Sequence, residues 1–365
     1  MTTPIRSVLA DVQEEQGAGF LEDSGWTWVT TFGDPDGEYD AVRSDVAIWD
    51  VYALQKWDVT GAAAEVAIQR TFANNLASLT VGQVRYGPFV DENAMMYDDG
   101  TVYKHGDDHY WVMTNGSDYG DRLADAAPGL DVKAVNRTFE MPVISVQGPR
   151  SRALLQTLTT TDLADLRYFR FLPERIQVAG VPAWILRTGF SGELGFELIP
   201  EADDAVHLWT TLRDNGARQI GLDAIEMVRV EAGLIIAAVD YQPGETSPFD
   251  LSLDKTIATA STADFLGKEA LVAMAAAPPN RFKTLQISGD VVPEYGADVR
   301  LGDEVVGTVT SPVATPRFGV IGLAVLRSDL AENGRELHVV VEGGTAAATV
   351  ADLSIHDPEK LKPRS

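Results

Sequence analysis

The stretch Arg187–Leu198, RTGFSGELGFEL, spaces Gly189, Gly192 and Gly195 three residues apart, with Ser191 between the first two and carboxylates at Glu193 and Glu197. Two familiar chemistries fail on spacing. A nucleophile elbow needs G-x-S-x-G, whereas Ser191 is followed directly by Gly192. A dinucleotide loop needs G-x-G-x-x-G opening a helix, whereas the residues after Gly195, FELIP, read as a strand. What remains is a glycine-rich turn between two strands that ends on an acid. Glycines at such spacing permit positive φ and close backbone approach. By itself the pattern is equally a plain hairpin.

The 365-residue chain is long enough for two or three domains of about 100–200 residues. A hydrophobic content of 45% can fill substantial cores. The chain has no cysteine, which excludes disulfides, thiolate catalysis and cysteine-held metals. Of 5 histidines only His105 and His109, in HGDDH, lie close together, and that segment reads as an exposed hairpin turn, so no metal is expected. A net charge of −25 repels nucleic acid and anionic membranes, so neither is expected as a partner. No apolar run approaches the ~20 residues of a membrane span, and the N-terminal residues lack a signal-like apolar core. The expected location is cytoplasmic.

Element signals alternate along the chain. Trp57–Val59 reads as a strand and Ala62–Leu76 as an amphipathic helix. Antiparallel strands with turns at DEN, DDG and HGDD follow. MPVISVQGPRSRALLQTL is a strand, a Gly-Pro break and a helix; VAGVPAWIL is a hairpin entering the glycine stretch. ADDAVHLWTTLRDNG is a helix with Val206, Trp209 and Leu212 on one face and Gly216 as its stop. GLDAIEMVRVEAG is another helix, and DFLGKEAL holds a short one. APPNRFK reads as a linker, after which short strands predict an all-β terminal domain, a small barrel or sandwich.

The order AVRSDVAIWDV, YGPFVDENAMMYDDGTVY, VQGPRS, RTGFSGELGFEL, GLDAIEMVRVEAG, ETSPFDLSLDKTI, DFLGKEAL and VGTVTSP resembles the glycine cleavage T-protein (aminomethyltransferase) family along nearly the whole chain. That family reads approximately R-T-G-Y-T-G-E-x-G-F-E at the glycine stretch and G-A-R-D-x-x-R-L-E-A-G at the helix. The resemblance implies an α+β fold of three domains around a central channel. Two interleaved α/β folate-binding domains would occupy residues 1–276, one of them centred on 55–135, and a C-terminal β-barrel residues 277–365. It also implies tetrahydrofolate as cofactor and a one-carbon transfer.

The resemblance also supplies site residues. Glu197 would accept the paired N–H edge of the pterin, as a carboxylate accepts a guanidinium; otherwise it is a solvated strand acid. Glu193, on the turn, is expected to be solvated. Asp99, or its neighbour Asp98, would sit beside the reactive edge of folate and manage a proton; D-D-G is equally a common turn. Tyr86, Tyr103 and Asn115 match positions that line the folate site. Tyr168 or Phe169, and Phe190, could stack on the pterin or benzoyl ring. Arg229 keeps the second arginine of the family helix.

Two positions depart from the family. Ile225 stands where the pattern has its first arginine, and WDVYAL, Trp49–Leu54, where it reads F-D-V-S-H-M. Both changes remove polar groups from the substrate entrance, so a lipoyl carrier protein is not expected as a partner. Trp26, Trp28, Trp49, Tyr52 and Trp57 are close in sequence. Together with Leu54 and Ile225 they could line an apolar pocket for a small methylated substrate, or pack a domain interface. The expected activity is a tetrahydrofolate-dependent methyl transfer from an O-, N- or S-methylated compound, acting as a demethylase. The alternatives are an aminomethyltransferase of glycine cleavage and a non-catalytic folate-binding protein.

Overall fold

The computed structural model describes residues 3–365. A short helix α1 (Ala10–Glu15) leads into a hairpin of β1 (Gly19–Asp23) and β2 (Trp26–Thr31), then α2 (Pro35–Ser44) and β3 (Ala47–Asp50). The chain next builds β4 (Gln55–Thr60), α3 (Ala64–Thr71), β5 (Val84–Val90), β6 (Met96–Lys104), β7 (His109–Thr114), α4 (Tyr119–Ala126) and β8 (Lys133–Asn136). These five strands form one sheet in the order β5-β6-β7-β4-β8. The chain then returns as β9 (Ile144–Gln147), antiparallel to β3. After α5 (Ser151–Leu158) it continues through β10 (Ile176–Val178), β11 (Val181–Leu186), β12 (Gly195–Pro200), α6 (Ala202–Asp214) and β13 (Arg218–Gln219). The second sheet has the order β10-β11-β12-β9-β3-β13. The five-stranded unit is thus inserted between two neighbouring strands of the six-stranded one, which is the interleaving expected from the sequence.

Then come α7 (Leu222–Ala232), α8 (Lys268–Met274) and six strands: β14 (Asn280–Ile287), β15 (Asp298–Leu301), β16 (Glu304–Thr315), β17 (Gly319–Arg327), β18 (Glu336–Val341) and β19 (Gly344–Ala351). They close into a barrel, β14-β17-β16-β15-β18-β19, which leaves no free edge.

The two open sheets lie face to face. Every residue of β12 is buried, as expected of a strand covered on both sides. Phe196 and Leu198 join Val146, Leu208, Trp209 and Leu212 in the core beneath α6. On the other face Leu186 and Ile199 meet Tyr103, Trp111 and Met113 of the five-stranded sheet. The α6 helix corrects one expectation. Val206 is 40% exposed, and Leu208 takes its place beside Trp209 and Leu212. Trp209 and Leu212 are buried as expected, and Ala205 and Leu208 complete the buried face on the side away from Val206.

Candidate functional site

Gln147, at the end of β9, organises the glycine stretch. Its Nε2 donates to the carbonyls of Thr188 and Phe196 at 3.3 and 3.4 Å, and its Oε1 accepts from Ser191 Oγ at 2.6 Å. A Cβ at Gly189 would meet that amide at 2.3 Å, and one at Gly195 at 2.1 Å. Two of the three glycines therefore exist to let the chain wrap a glutamine. Gly192 adopts φ +75 at the turn. Ser191 is buried and engaged, which removes it as a nucleophile.

Glu193 departs from its expected solvated position. It is 4% exposed and accepts from His356 at 2.5 Å, Lys362 at 3.2 Å and Arg43 at 3.4 Å. Burial pushes its carboxyl up. The His356 hydrogen bond and the neighbouring positive charges outweigh that and hold it below the ordinary range.

Glu197 lies in the layer between the two sheets. Thr188 donates to its Oε2. Its Oε1 takes no hydrogen bond among the described residues. Burial raises its pKa, opposed by Thr188 and by the charge of Lys56. In register, Glu197 pairs with Ser145, and Ser145 with Trp49, so the three share one face. Ser145 is fully buried and its hydroxyl has no partner. Tyr103 is buried in the same layer, and Tyr168 stands half-buried near Glu197. Phe169 holds φ 58, a left-handed conformation uncommon for a bulky residue. Its amide donates to Arg187 O at 3.0 Å and its carbonyl accepts from Val84 N at 3.0 Å. This pinned, strained turn presents Tyr168 beside the glycine stretch.

A second cluster centres on Asp99, which pairs with Pro88 across β5 and β6. Its carboxylate accepts from Tyr86 at 2.9 Å and from Tyr241 at 2.6 Å. Burial and the adjacent Asp98 push its pKa up to about 7, against the two phenols. Asp98 differs. It accepts from the amides of Asp99, Asn115 and Gly116 and from Asn115 Nδ2, at 2.7 to 3.1 Å. That carboxylate braces a turn; the Asp99 carboxylate is held mainly by two phenols, with a longer contact of 3.4 Å from Asn115 Nδ2. Asn115 uses its amide on Asp98 and on the carbonyl of Asp99, so it shapes this turn.

The GCVT N-terminal domain matches residues 9–261, and the glycine cleavage T-protein C-terminal barrel domain matches residues 280–357. The chain belongs to the glycine cleavage T-protein family. An aminomethyltransferase of Streptomyces avermitilis is 34% identical over 327 residues, covering 87% of each chain. A trimethylamine-oxide aldolase of Ruegeria pomeroyi is 36% identical over 372 residues, covering 95% of this chain and 46% of the aldolase. The chain thus spans less than half of that relative's length. The glycine cleavage aminomethyltransferase T of Bartonella henselae shares the fold with a TM-score of 0.89 at 22% identity, over 97% of this chain and 98% of that one. Membership makes the chain a one-carbon transferase that uses tetrahydrofolate.

The site fits that group. Glu197 offers a free oxygen, Ser145 beside it holds an unpaired hydroxyl, and Tyr103 and Tyr168 border the same layer. A flat ring with adjacent N–H groups suits such a set.

Other expected site residues are placed differently. Arg229 is fully buried, and all five of its N–H donors are taken. They go to Glu226 twice, Leu234 O at 3.1 Å, Asp240 at 2.9 Å and Ser311 at 2.7 Å. No donor remains for a cofactor. Arg229 ties α7 to the barrel and to the loop that carries Tyr241.

The aromatic residues expected in one pocket lie in separate places. Trp49, Phe190 and Ile225 share an apolar cluster, with the Trp49 and Phe190 rings 6.4 Å apart. Tyr52 instead turns to the β1–β2 hairpin. It donates to Thr27 O and packs edge-on against Trp26 at 5.4 Å, with Trp28 at 5.8 Å. Leu54 packs with Tyr103 between the sheets. Trp57 faces the opposite side of its sheet, against Tyr119 at 5.9 Å. Strand alternation and the 51–54 turn disperse what the sequence clusters. The apolar wall therefore reduces to Trp49, Phe190 and Ile225.

His105 and His109 stack at 4.9 Å, and His105 packs on Trp111 at 4.0 Å. Among the described residues no group of three or more His, Cys, Asp or Glu could hold a metal ion. No described helix is long and apolar enough to cross a membrane. The sequence did not reveal Tyr241, Thr188, Gln147, Ser145 or Lys56. Thr188 and Gln147 carried a signal, through their places in R-T-G and VQGPRS; Tyr241 comes from a loop with no motif.

Proposed function

We propose that the chain is a tetrahydrofolate-dependent demethylase that moves a methyl group from a small O-, N- or S-methylated compound to N5 of tetrahydrofolate. The observation that carries this reading is the apolar cluster of Trp49, Phe190 and Ile225. It stands where the family pattern has its first arginine and the polar entrance.

The folate supplies the nucleophilic nitrogen. The chain's own residues supply position and proton control. Glu197 and Thr188 hold the pterin donor edge, with Tyr103 and Tyr168 beside it. Trp49 and Phe190 exclude water from the methyl donor, which favours a near-attack geometry. With folate bound, the carbon–heteroatom bond would break as the carbon–N5 bond forms; the leaving atom would gain a proton and N5 would release one to solvent. Asp99, with a pKa of about 7, gives the proton to the leaving atom, and Tyr241 and Tyr86 fix its two oxygens. The apolarity of that wall supports a small methylated substrate.

A second reading, aminomethyl transfer with a lipoyl carrier protein, rests on the Streptomyces avermitilis relative. Incubation with tetrahydrofolate and a panel of methyl ethers, methylamines and methyl thioethers separates the two. The proposal expects 5-methyltetrahydrofolate by mass spectrometry. Ammonia release from an aminomethylated lipoyl carrier protein, with no methyl transfer from the panel, would replace it with the second reading.

A further inference from the structure

Lys56 is the unexplained charge in the layer between the sheets. It is the second residue of β4, pairs in register with Met113, and is 0% exposed. Met113, Tyr103 and Trp111 lie on its side of the five-stranded sheet. The opposing face presents Leu186 and Ile199, and Glu197 pairs with Leu186 on that face. Lys56 and Glu197 are therefore opposite charges brought into one apolar layer from two sheets. The Lys56 ammonium is oriented by two carbonyls, Tyr52 O at 2.9 Å and Val51 O at 3.2 Å. Both belong to the turn that follows Trp49. No carboxylate hydrogen-bonds it directly. The titratable groups facing it are Asp50 on β3 and Glu197 on β12. Asp50, the stronger of the two electrostatic neighbours, accepts from Gln13 at 3.2 Å through one oxygen and leaves the other without a partner among the described residues. Tyr103, in the same layer, stays a neutral phenol because burial raises its pKa.

We propose that Lys56 is a positioning residue for folate: the counter-charge that keeps Glu197 ionised between the sheets, and the tie that fixes the 51–54 turn against the folate-holding strand. This rests on Glu197 being the group that holds the pterin. An isolated carboxylate in such a layer protonates rather than bears its desolvation. A protonated Glu197 presents a hydroxyl where the pterin presents N–H groups. One cation serving both the carboxylate and the substrate-side turn makes each site sense the other. Burial pulls the Lys56 amine down to about 7, against the two carboxylates, so its charge changes within the working pH range.

The first measurement leaves Lys56 in place. Lysine-selective NMR follows its amine through a pH titration in the native protein and in E197Q. The pairing requires the E197Q midpoint to fall by about one pH unit, since an anion that favours the ammonium is gone. Identical midpoints would overturn the proposal and leave Lys56 to Asp50. The second uses K56M with calorimetry of tetrahydrofolate binding from pH 5 to 8. The expected result is affinity roughly tenfold weaker at neutral pH, with the loss on acidification starting at higher pH than in the native protein. A folded K56M with native affinity and a native pH profile would also overturn it. Should K56M fail to fold, the titration decides. If E197Q binds tetrahydrofolate as the native protein does, the placement of folate on Glu197 fails, whatever the Lys56 titration shows.

Discussion

Two neighbouring aspartates show how much a single residue's surroundings decide. Asp98 and Asp99 are interchangeable as letters in MYDDG. In the fold one carboxylate is saturated by amide donors and the other is held mainly by two phenols. The Asp99 pKa of about 7 makes it a proton donor below neutrality and a carboxylate above. As the proton donor, Asp99 makes kcat fall as pH rises through about 7. D99N should bind tetrahydrofolate within threefold of native, show no such inflection and turn over roughly a hundredfold more slowly. A D99N profile that keeps the inflection would assign the proton to another group. Glu197 makes a different prediction. In E197Q one acceptor oxygen becomes a donor facing donors, which costs about 1–3 kcal/mol, or roughly five- to 150-fold in affinity. Unchanged affinity by calorimetry would remove Glu197 from the site. Both residues were legible in the sequence because the resemblance runs through their motifs. The choice between Asp98 and Asp99 was not, because it is set by backbone amides eighteen residues away at Gly116.

At the scale of elements, the loop after α7 is the part that sequence left blank. It delivers Tyr241 to Asp99, and nothing in AAVDYQPG marks it. Ala238 adopts φ 62 there, and its amide donates to Tyr241 O at 2.9 Å. Asp240 accepts from Arg229, Ile236 N, Thr310 and Ser311. Arg229 thus acts through the loop rather than on the folate. The family motif kept the residue legible, but its role depended on counting donors. R229M should leave Asp240 buried without its cation, at a cost of about 3 kcal/mol of stability. Turnover should fall through loss of Tyr241, with tetrahydrofolate affinity within threefold of native. Y241F should reproduce the turnover loss without the stability loss. An R229M enzyme with native stability and weak folate binding would return Arg229 to the cofactor. The glycine stretch offers the same lesson. Its spacing marked a special turn, yet the partner that demands the glycines, Gln147, lies about forty residues upstream in VQGPRS, a motif that does not say which segment it contacts.

Across the whole molecule, the segment after the barrel folds back onto the first domain. The His356 amide donates to Glu231 O at 3.1 Å, and its ring meets Glu193 at 2.5 Å. Arg43 of α2 bridges Glu193 and Glu231, both buried, and Tyr39 donates to Glu231 at 2.7 Å. This cluster anchors the tail, α2, α7 and the turn of the glycine stretch in one place. Glu193 titrates below its ordinary range in the fold. The stability it contributes is therefore present above the unfolded carboxyl pKa of about 4.3 and lost as pH falls through its lower folded value. His356 is lowered by burial. Its neutral form is favoured in the fold, so that part of the stability declines as pH drops below about 6.5. E193Q keeps the shape of the side chain and removes the anion; Arg43 retains Glu231 at 2.7 Å, whereas His356 and Lys362 lose their carboxylate. Lys362 is 40% exposed and contributes little through screened solvent, so the loss rests on His356 first and on the longer Arg43 contact second. Urea unfolding at pH 7 should show E193Q less stable by about 3 kcal/mol. The difference between the two proteins should shrink only below about pH 4, as the native Glu193 takes up its proton. Parallel curves down to pH 3 would mean that the tail is held by its packing, with Gly233 closed against Leu353, and not by this charge cluster.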